Sequence, residues 1–373
     1  MPLILSNPDA EVWLLIRAAS DSALAERMKE LMRFWGWQDD ADEAKRIHTL
    51  AGDAALPGFG LGDVQYADLA KQCTHIIHCA GTVRMNLALE DARRSAVGSA
   101  EQILGLARRI AATGLLTKVD FVSTLGVAGK RNGILPEAWL EEMPAFHNTY
   151  EQAKAEAESI VRKAIDRDNL PVTVHRPSMV IGDSRNGRVI HFQIFYFLCE
   201  FLSGRKTMGV YPDFGGAQLD VIPCDTVAAA IVEASHDMTT AGRIFHVCSG
   251  ANRAPTLEEV KTIVRDTFSR HGLRVPSAIN LPLRWYCRLA QAAAWLAPPG
   301  QRRVLATLPV YLDYLADRQA FGNDECSAWL ARRGVAIPNP GDYLPKVLDH
   351  YLKQRHASSS TRAGRPERRR QIR

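Results

Sequence analysis

The chain has 373 residues, 46% hydrophobic and 23% charged, a composition that suits a globular protein able to bury one large core or two ordinary ones. Its net charge of +5 is local: from Lys353 onward eight Lys/Arg stand against one acid, Glu367, a net +7, so the remainder is near −2 and carries no nucleic-acid footprint. Seven scattered cysteines without a CxxC argue against a disulfide framework or a zinc site, and neither a basic secretory leader nor an apolar run of about 18 residues is present, so a reducing, cytoplasmic setting is expected.

Residues 1–6 read Met-Pro-Leu-Ile-Leu-Ser, and Asn7-Pro8-Asp9-Ala10 leads into the apolar run Val12–Arg17, read as a strand. Leu3–Leu5 cannot be a strand lying parallel beside it, because that crossover needs a dozen or more residues. Ser22–Trp37 has Leu24, Met28, Leu31 and Met32 at helical spacing, with Ser20, Asp21 or Ser22 as cap. Arg46–Leu50 is a short strand followed by Gly52-Asp53. His75–Cys79 is a buried strand followed by the small residues Ala80-Gly81-Thr82, which let a ligand approach the backbone. His75 and His78 point to opposite faces of such a strand and make no metal pair. A helix is expected from Leu87 to Ala112, a strand over Lys118–Ser123 ending at Thr124, and a loop with a short helix over 129–147.

Asn148–Glu158 is rich in Ala, Glu, Gln and Lys and reads as a helix. Tyr150 and Lys154, four apart, share one of its faces. An ammonium near a phenol favours phenolate and brings a tyrosine closer to useful proton exchange at neutral pH. On an exposed helix that spacing is usually a solvated face; the order of the neighbouring strands sets it apart here. Val172–Arg176 follows as a strand, then Pro177-Ser178 and a polar turn, Ile181–Gly187. The aromatic Phe192–Phe201 stretch lines an acyl pocket or is plain helix core. Thr256 opens a capped helix with Glu258 and Glu259 in its first turn. Leu281–Leu296, with Trp285, Tyr286, Leu289, Arg284 and Arg288, reads as a packed helix, an amphipathic cover over a lipid-like substrate or a membrane-surface helix. Ser358 onward is read as disordered, a solvated end able to touch RNA or anionic lipid.

In order, Val12–Arg17, Ala51-Gly52-Asp53, His75–Ala80, Phe121–Thr124, Asn148–Lys154, His175–Ser178, Leu219–Asp225 and Phe245–Gly250 resemble the extended short-chain dehydrogenase/reductases. They are most similar to the branch of fatty acyl-CoA reductases and the thioester reductase domains of carboxylic acid reductases and peptide synthetases. The resemblance covers about residues 10 to 260. It implies a Rossmann-type, doubly wound parallel α/β sheet with a small C-terminal substrate-binding region. It also implies a first strand, glycine loop and helix that are missing ahead of Val12, with Leu3–Leu5 resembling that helix's last turn. Either the recorded start is too late or the gene is truncated. The family's usual Asn in the Leu87–Ala112 helix is replaced in Ser95-Ala96-Val97-Gly98-Ser99.

By this resemblance Thr124, Tyr150 and Lys154 are the catalytic residues. Arg17 meets the 2′-phosphate of NADP(H), Asp53 approaches the adenine, and Ala80, Gly81, Pro177 and Ser178 lie along the cofactor with Tyr150 and Lys154. A surface arginine and a turn aspartate are the plainer readings of Arg17 and Asp53. The implied activity is NADPH-dependent reduction of an acyl thioester, on CoA or a carrier, to aldehyde or alcohol; the substrate is a small molecule or carrier-bound acyl group. The rivals are another extended short-chain enzyme, such as a sugar-nucleotide epimerase or hydroxysteroid-type dehydrogenase, and a chain that binds no dinucleotide. Domains are expected at 1–275 (dinucleotide binding), 276–352 (mostly helical cover) and 353–373 (basic tail). No metal, nucleic acid or transmembrane segment is expected; peripheral membrane contact and oligomeric state stay open.

Overall fold

A computed structural model describes residues 1–38, 41–296 and 319–363, with backbone alone for 290–296 and 358–363. The described chain runs α1 (Pro2–Leu5), β1 (Val12–Ile16), α2 (Asp21–Trp35), β2 (Ile47–Ala51), α3 (Asp63–Gln72), β3 (His75–His78) and α4 (Leu89–Arg93). It continues through α5 (Ser99–Ala112), β4 (Lys118–Val122), β5 (Gly133–Leu135), α6 (Thr149–Asp168), β6 (Val172–Pro177), β7 (Met179–Ile181) and α7 (Ile194–Leu202). Then come β8 (Val210–Pro212), β9 (Val221–Pro223), α8 (Cys224–Ser235), β10 (Ile244–Val247), α9 (Leu257–Arg270), β11 (Ile279–Leu281) and α10 (Leu283–Leu296). Last are β12 (Gln319–Phe321), a helix over Asp324–Ala331, named α11, and one over Pro340–Ala363, named α12. Two compact units interleave along the sequence. One is Met1–Val180, Thr226–Asn252 and Asp317–Ile337; the other is Ile181–Asp225, Arg253–Ala316 and Pro338–Arg373.

The first unit holds the α/β sheet. Its four-stranded part has the order β10-β6-β4-β3, all parallel, with Phe121 opposite both His78 and Val174. β4, β6 and β10 are nearly continuous runs of buried residues, the pattern of strands covered on both faces, while β3 is mixed, with His75 exposed. Val119, Phe121, Val172 and Val174 form a core with the alanines of α5 and α6, including Ala100, Ala107, Ala153 and Ala157. Small helix residues against branched strand residues allow close approach and dense packing. A separate pair, β1 and β2, is parallel in register from Val12↔Ile47 to Ile16↔Ala51. Among the described residues β1 pairs only with β2, and β3 only with β4. The parallel α/β class expected of the sequence is the one observed.

Local signals shaped the elements as expected in several places. Ser20 caps α2, accepting from Ala23 N at 3.2 Å, and Gly36 closes it at φ 80°. Leu3–Leu5 lies in a helical turn, and Arg46 fastens the segment behind it by donating to the carbonyls of Leu5, Asn7, Pro8 and Ala10. The expected Leu87–Ala112 helix is interrupted by a π-helical turn at Arg94–Gly98. Three expectations need correction. The 129–147 loop holds no helix, the helical turn Leu125–Ala128 lying just ahead of it; instead Gly133–Leu135 pairs with Gln319–Phe321, a partner 186 residues away (319 − 133) that no local pattern reveals. Phe321 is therefore strand rather than part of a helical end. Ser358 does not begin a disordered tail, since α12 continues to Ala363. The rest of the basic tail, 364–373, lies outside the described residues, as does Trp295's side chain.

In the second unit, α9 begins with the expected Thr256 cap, here a full capping box in which Thr256 and Glu259 satisfy each other's backbone N–H. The aromatic α7 buries Phe195 and Tyr196 and leaves Phe197 70% exposed, so it is largely core on one face only. In α10, Tyr286 is buried while Trp285 and Leu289 are exposed. No helix among the described residues is long and apolar enough to cross a membrane.

Candidate active site

All of the sequence-predicted site residues fall in the first unit, at the C-terminal ends of its parallel strands, where open α/β sheets place ligands. β4 delivers Ser123 and Thr124. The Thr124 side chain caps the turn that follows by accepting from Gly126 N at 3.2 Å, and its hydroxyl neighbours the Tyr150 phenol. Tyr150 is the second residue of α6, whose start is fixed by Asn148 accepting from Glu151 N at 3.0 Å. One turn further, Lys154 Nζ donates to the Val122 carbonyl at 2.8 Å. The helix is thereby fastened to the end of β4, and Thr124, Tyr150 and Lys154 are brought together.

The electrostatics of that trio differ from the sequence expectation. Burial pushes the Tyr150 pKa up, the neighbouring Thr124 hydroxyl acts against this, and the negative charge of Glu151 adds to the rise. The Lys154 ammonium is held by a backbone carbonyl. The expected lowering by Lys154 is thus corrected for this arrangement: desolvation of the phenol outweighs it. Lys154 itself is driven down to about 8 by burial, with Glu158 and Cys79 opposing. His78 falls to about 3, mainly by burial and then by Lys154, so it stays neutral beside the site.

Behind the trio, α6 is tied to β6 by Glu158 and Arg176, 2.7 Å apart with side chains 3% and 4% exposed. Arg176 also donates to the Ala138 carbonyl at 2.9 Å. Eighteen residues separate the partners, so no helical or strand spacing marks them in the sequence. The π-helical turn places Ser95 Oγ to accept from Thr82 N at 3.1 Å, holding the Ala80-Gly81-Thr82 loop. Ser95 therefore supports that loop although it replaces the expected amide. Reading the sequence alone missed Glu151 and His147, whose only signal is Glu at the third helical position after an Asn cap.

The ends of β1 and β2 bring Arg17 and Asp53 together: Arg17 Nε lies 2.9 Å from Asp53 Oδ2, with the arginine side chain 66% exposed. A Cβ on Gly52 would fall 2.6 Å from the Phe59 carbonyl oxygen, so only glycine fits where the chain turns into Asp53. Among the described residues no hydrogen bond or ion pair joins Arg17 and Asp53 directly to Thr124, Tyr150 or Lys154.

A dinucleotide fits this edge at its two ends. Arg17 offers an exposed guanidinium for a phosphate. Ser123 Oγ and Ser178 Oγ are buried without a protein partner, which is the state of polar groups awaiting a ligand's hydrogen bonds. Pro177 ends β6, and Ser178 N donates to the Val247 carbonyl, keeping both at the same strand edge. For the pyrophosphate between those ends, the described residues ahead of β1 supply no glycine-rich turn. Among the described residues no group of three or more His, Cys, Asp or Glu is arranged to hold a metal.

A family model described as male sterility protein, an NAD-binding domain, matches residues 2–231. Isonitrile lipopeptide synthase of Streptomyces coeruleorubidus is 31% identical over 234 residues, which is 62% of this chain and 15% of that protein. The chain thus spans less than a fifth of this much longer relative. Among solved structures, the terminal R domain from the myxalamid PKS-NRPS biosynthetic pathway superposes with a TM-score of 0.77 at 24% identity, covering 96% of this chain and 86% of that one. A thiolation-reductase di-domain from an archaeal non-ribosomal peptide synthetase gives 0.72 at 17% identity, covering 95% and 72%. Both structural likenesses speak to the fold.

Proposed function

This chain belongs to the male sterility protein family of NAD-binding domains, and from that premise we propose that it reduces an acyl thioester, on a carrier or on CoA, with NADPH. The observation that carries the reading is the gathering of Thr124, Tyr150 and Lys154 at the end of the central strand β4, where Lys154 Nζ is held by the Val122 carbonyl one helical turn from the tyrosine. The similarity to proteins named as nonribosomal peptide synthetases and to a thiolation-reductase di-domain supports a carrier-bound substrate.

Arg17 would hold the adenosine 2′-phosphate, releasing Asp53 to the adenine edge. Ala80 and Gly81 would give the backbone room, and Pro177 and Ser178 would lie against the nicotinamide. When bound, the reduced dinucleotide supplies a hydride to the thioester carbonyl carbon. Thr124 and Tyr150 donate hydrogen bonds to the carbonyl oxygen and stabilise the charge that develops there. Collapse expels the thiolate, so that thioester, one hydride and one proton give aldehyde and thiol. If the aldehyde is reduced again, Tyr150 gives its proton to the alkoxide. A tyrosine whose pKa is raised suits this role, because it remains protonated at neutral pH and can donate. Lys154, still cationic below about pH 8, would bond the nicotinamide ribose. In this reading residues 1–275 bind the dinucleotide and 276–352 cover the substrate.

The test is NADPH binding, by fluorescence, followed by NADPH consumption with an acyl-pantetheine thioester, acyl-CoA, a UDP-sugar and a sterol. Consumption with a thioester and release of free thiol is the expected result. Turnover of the UDP-sugar or the sterol alone overturns it.

A further inference from the structure

Beside the tyrosine lies a buried pair that the proposed chemistry leaves unused. The His147 and Glu151 side chains are 4% and 2% exposed, with Nδ1 and Oε2 3.0 Å apart. Oε2 also accepts from His147 N at 3.0 Å, and Oε1 accepts from Asn148 Nδ2 at 3.1 Å. A carboxylate this deep is costly unless donors surround it; here three do, and the positive end of α6 adds to them. Glu151 also reaches the other half of the site. A Cβ placed on Gly126 would fall 3.0 Å from Glu151 Cγ, so the carboxylate stem packs on the turn that Thr124 caps. One side chain thus touches the turn carrying Thr124 and the helix start carrying Tyr150.

We propose that Glu151, held in place by His147, is a positioning residue that fixes the helix start carrying Tyr150 against the turn carrying Thr124. This rests on Tyr150 being the proton donor of the proposed reaction. The other titratable groups facing the tyrosine do not oppose Glu151. Lys154 on the same helix has its pKa driven down to about 8 by burial, so it is neutral in the alkaline range where the phenol titrates, and Glu158 beyond it is paired with Arg176. From β3 and its end, His78 is neutral and Cys79 is pushed up to about 11, so it is a neutral thiol. The charge that reaches the phenol is that of Glu151, and a negative neighbour disfavours phenolate. Removing it lowers the tyrosine pKa and moves the alkaline loss of a proton-donating tyrosine to lower pH.

The experiment compares Glu151→Gln with Asn148→Ala. Glutamine is accepted at this position of a capped helix, so the first variant keeps the helix start and removes the charge; the second removes the cap and keeps the charge. The midpoint for Tyr150 is read as the difference in near-ultraviolet tyrosinate absorbance between each protein and the same protein carrying Tyr150→Phe, which needs neither cofactor nor turnover. In Glu151→Gln the midpoint should fall by about one pH unit, and the alkaline limb of kcat should move with it. In Asn148→Ala the melting temperature should drop while the midpoint stays at the wild-type value. An unmoved midpoint in Glu151→Gln, or an equal shift in Asn148→Ala, overturns the proposal. Activity retained by Tyr150→Phe instead overturns the reading of the reaction, and the absorbance result then stands by itself.

Discussion

The four-stranded sheet β3-β4-β6-β10 and the two-stranded pair β1-β2 are built from similar apolar runs, yet they are held very differently. Every residue of β6 is buried, and so are Lys118 to Phe121 of β4. In β1, Val12-Trp13-Leu14-Leu15 are half-buried and only Ile16 is fully so. A two-stranded sheet buries too little to stand alone, whereas a central strand with helices on both faces is fixed by packing. The side chains follow their platforms. Thr124 and Lys154 are each fixed by a hydrogen bond at the end of β4, and Tyr150 stands beside the buried Glu151; Arg17 and Asp53 form an ion pair whose arginine is largely exposed. The end proposed for chemistry is set by the core, and the end proposed for the adenosine phosphate is set by local contacts.

The sharpest break of that contrast is Tyr150→Phe. It should cut kcat by about 10²- to 10⁴-fold, the range for one proton-transferring group, while NADPH binding stays nearly as it was. Steady-state rates beside a fluorescence titration check it, and unchanged kcat removes the catalytic assignment.

Next, Arg176→Ala leaves Glu158 charged and buried, and should cost about 3–5 kcal/mol of stability, read from the urea midpoint. Its counterpart in the other region, Arg17→Ala, should cost less than about 1 kcal/mol because the pair is exposed. Equal losses would mean that the two regions are held alike. Arg17→Ala should instead weaken NADPH binding by about ten-fold, the loss of one charge-assisted contact, and leave NADH binding unmoved; an equal effect on both dinucleotides excludes Arg17 from the 2′-phosphate.

The smallest effect concerns pH. Burial lowers the Lys154 pKa from 10.5 to about 8, so between those values the unfolded chain holds this proton more tightly than the folded one. Lys154 therefore adds stability as pH rises from about 8 toward 10.5, by linkage. Urea midpoints at the two ends of that window should show a rise in the wild type relative to Lys154→Met, and parallel behaviour of the two would show that the lysine is not desolvated.

Much of this site was legible because its parts repeat at short range. Tyr150 and Lys154 are one helical turn apart, Asn148 and Thr256 announce helix starts, and strand ends carry Thr124 and Ser178 in chain order. Partners that meet only through the fold left no such trace. Glu158 finds Arg176, Gly133–Leu135 finds Gln319–Phe321, and Arg17 finds Asp53, each across a separation that no period of 2 or 3.6 residues encodes.

The sequence by itself determined the alternating α/β class, the strand ends that bear the site, and the helix that aligns tyrosine with lysine, since periodicity and capping act within a few residues. Tertiary structure alone decided the direction of the Tyr150 pKa. Spacing on a helix face measures only proximity to Lys154, whereas the balance rests on how much water the fold removes from the phenol and on where Glu151 and the Val122 carbonyl come to lie.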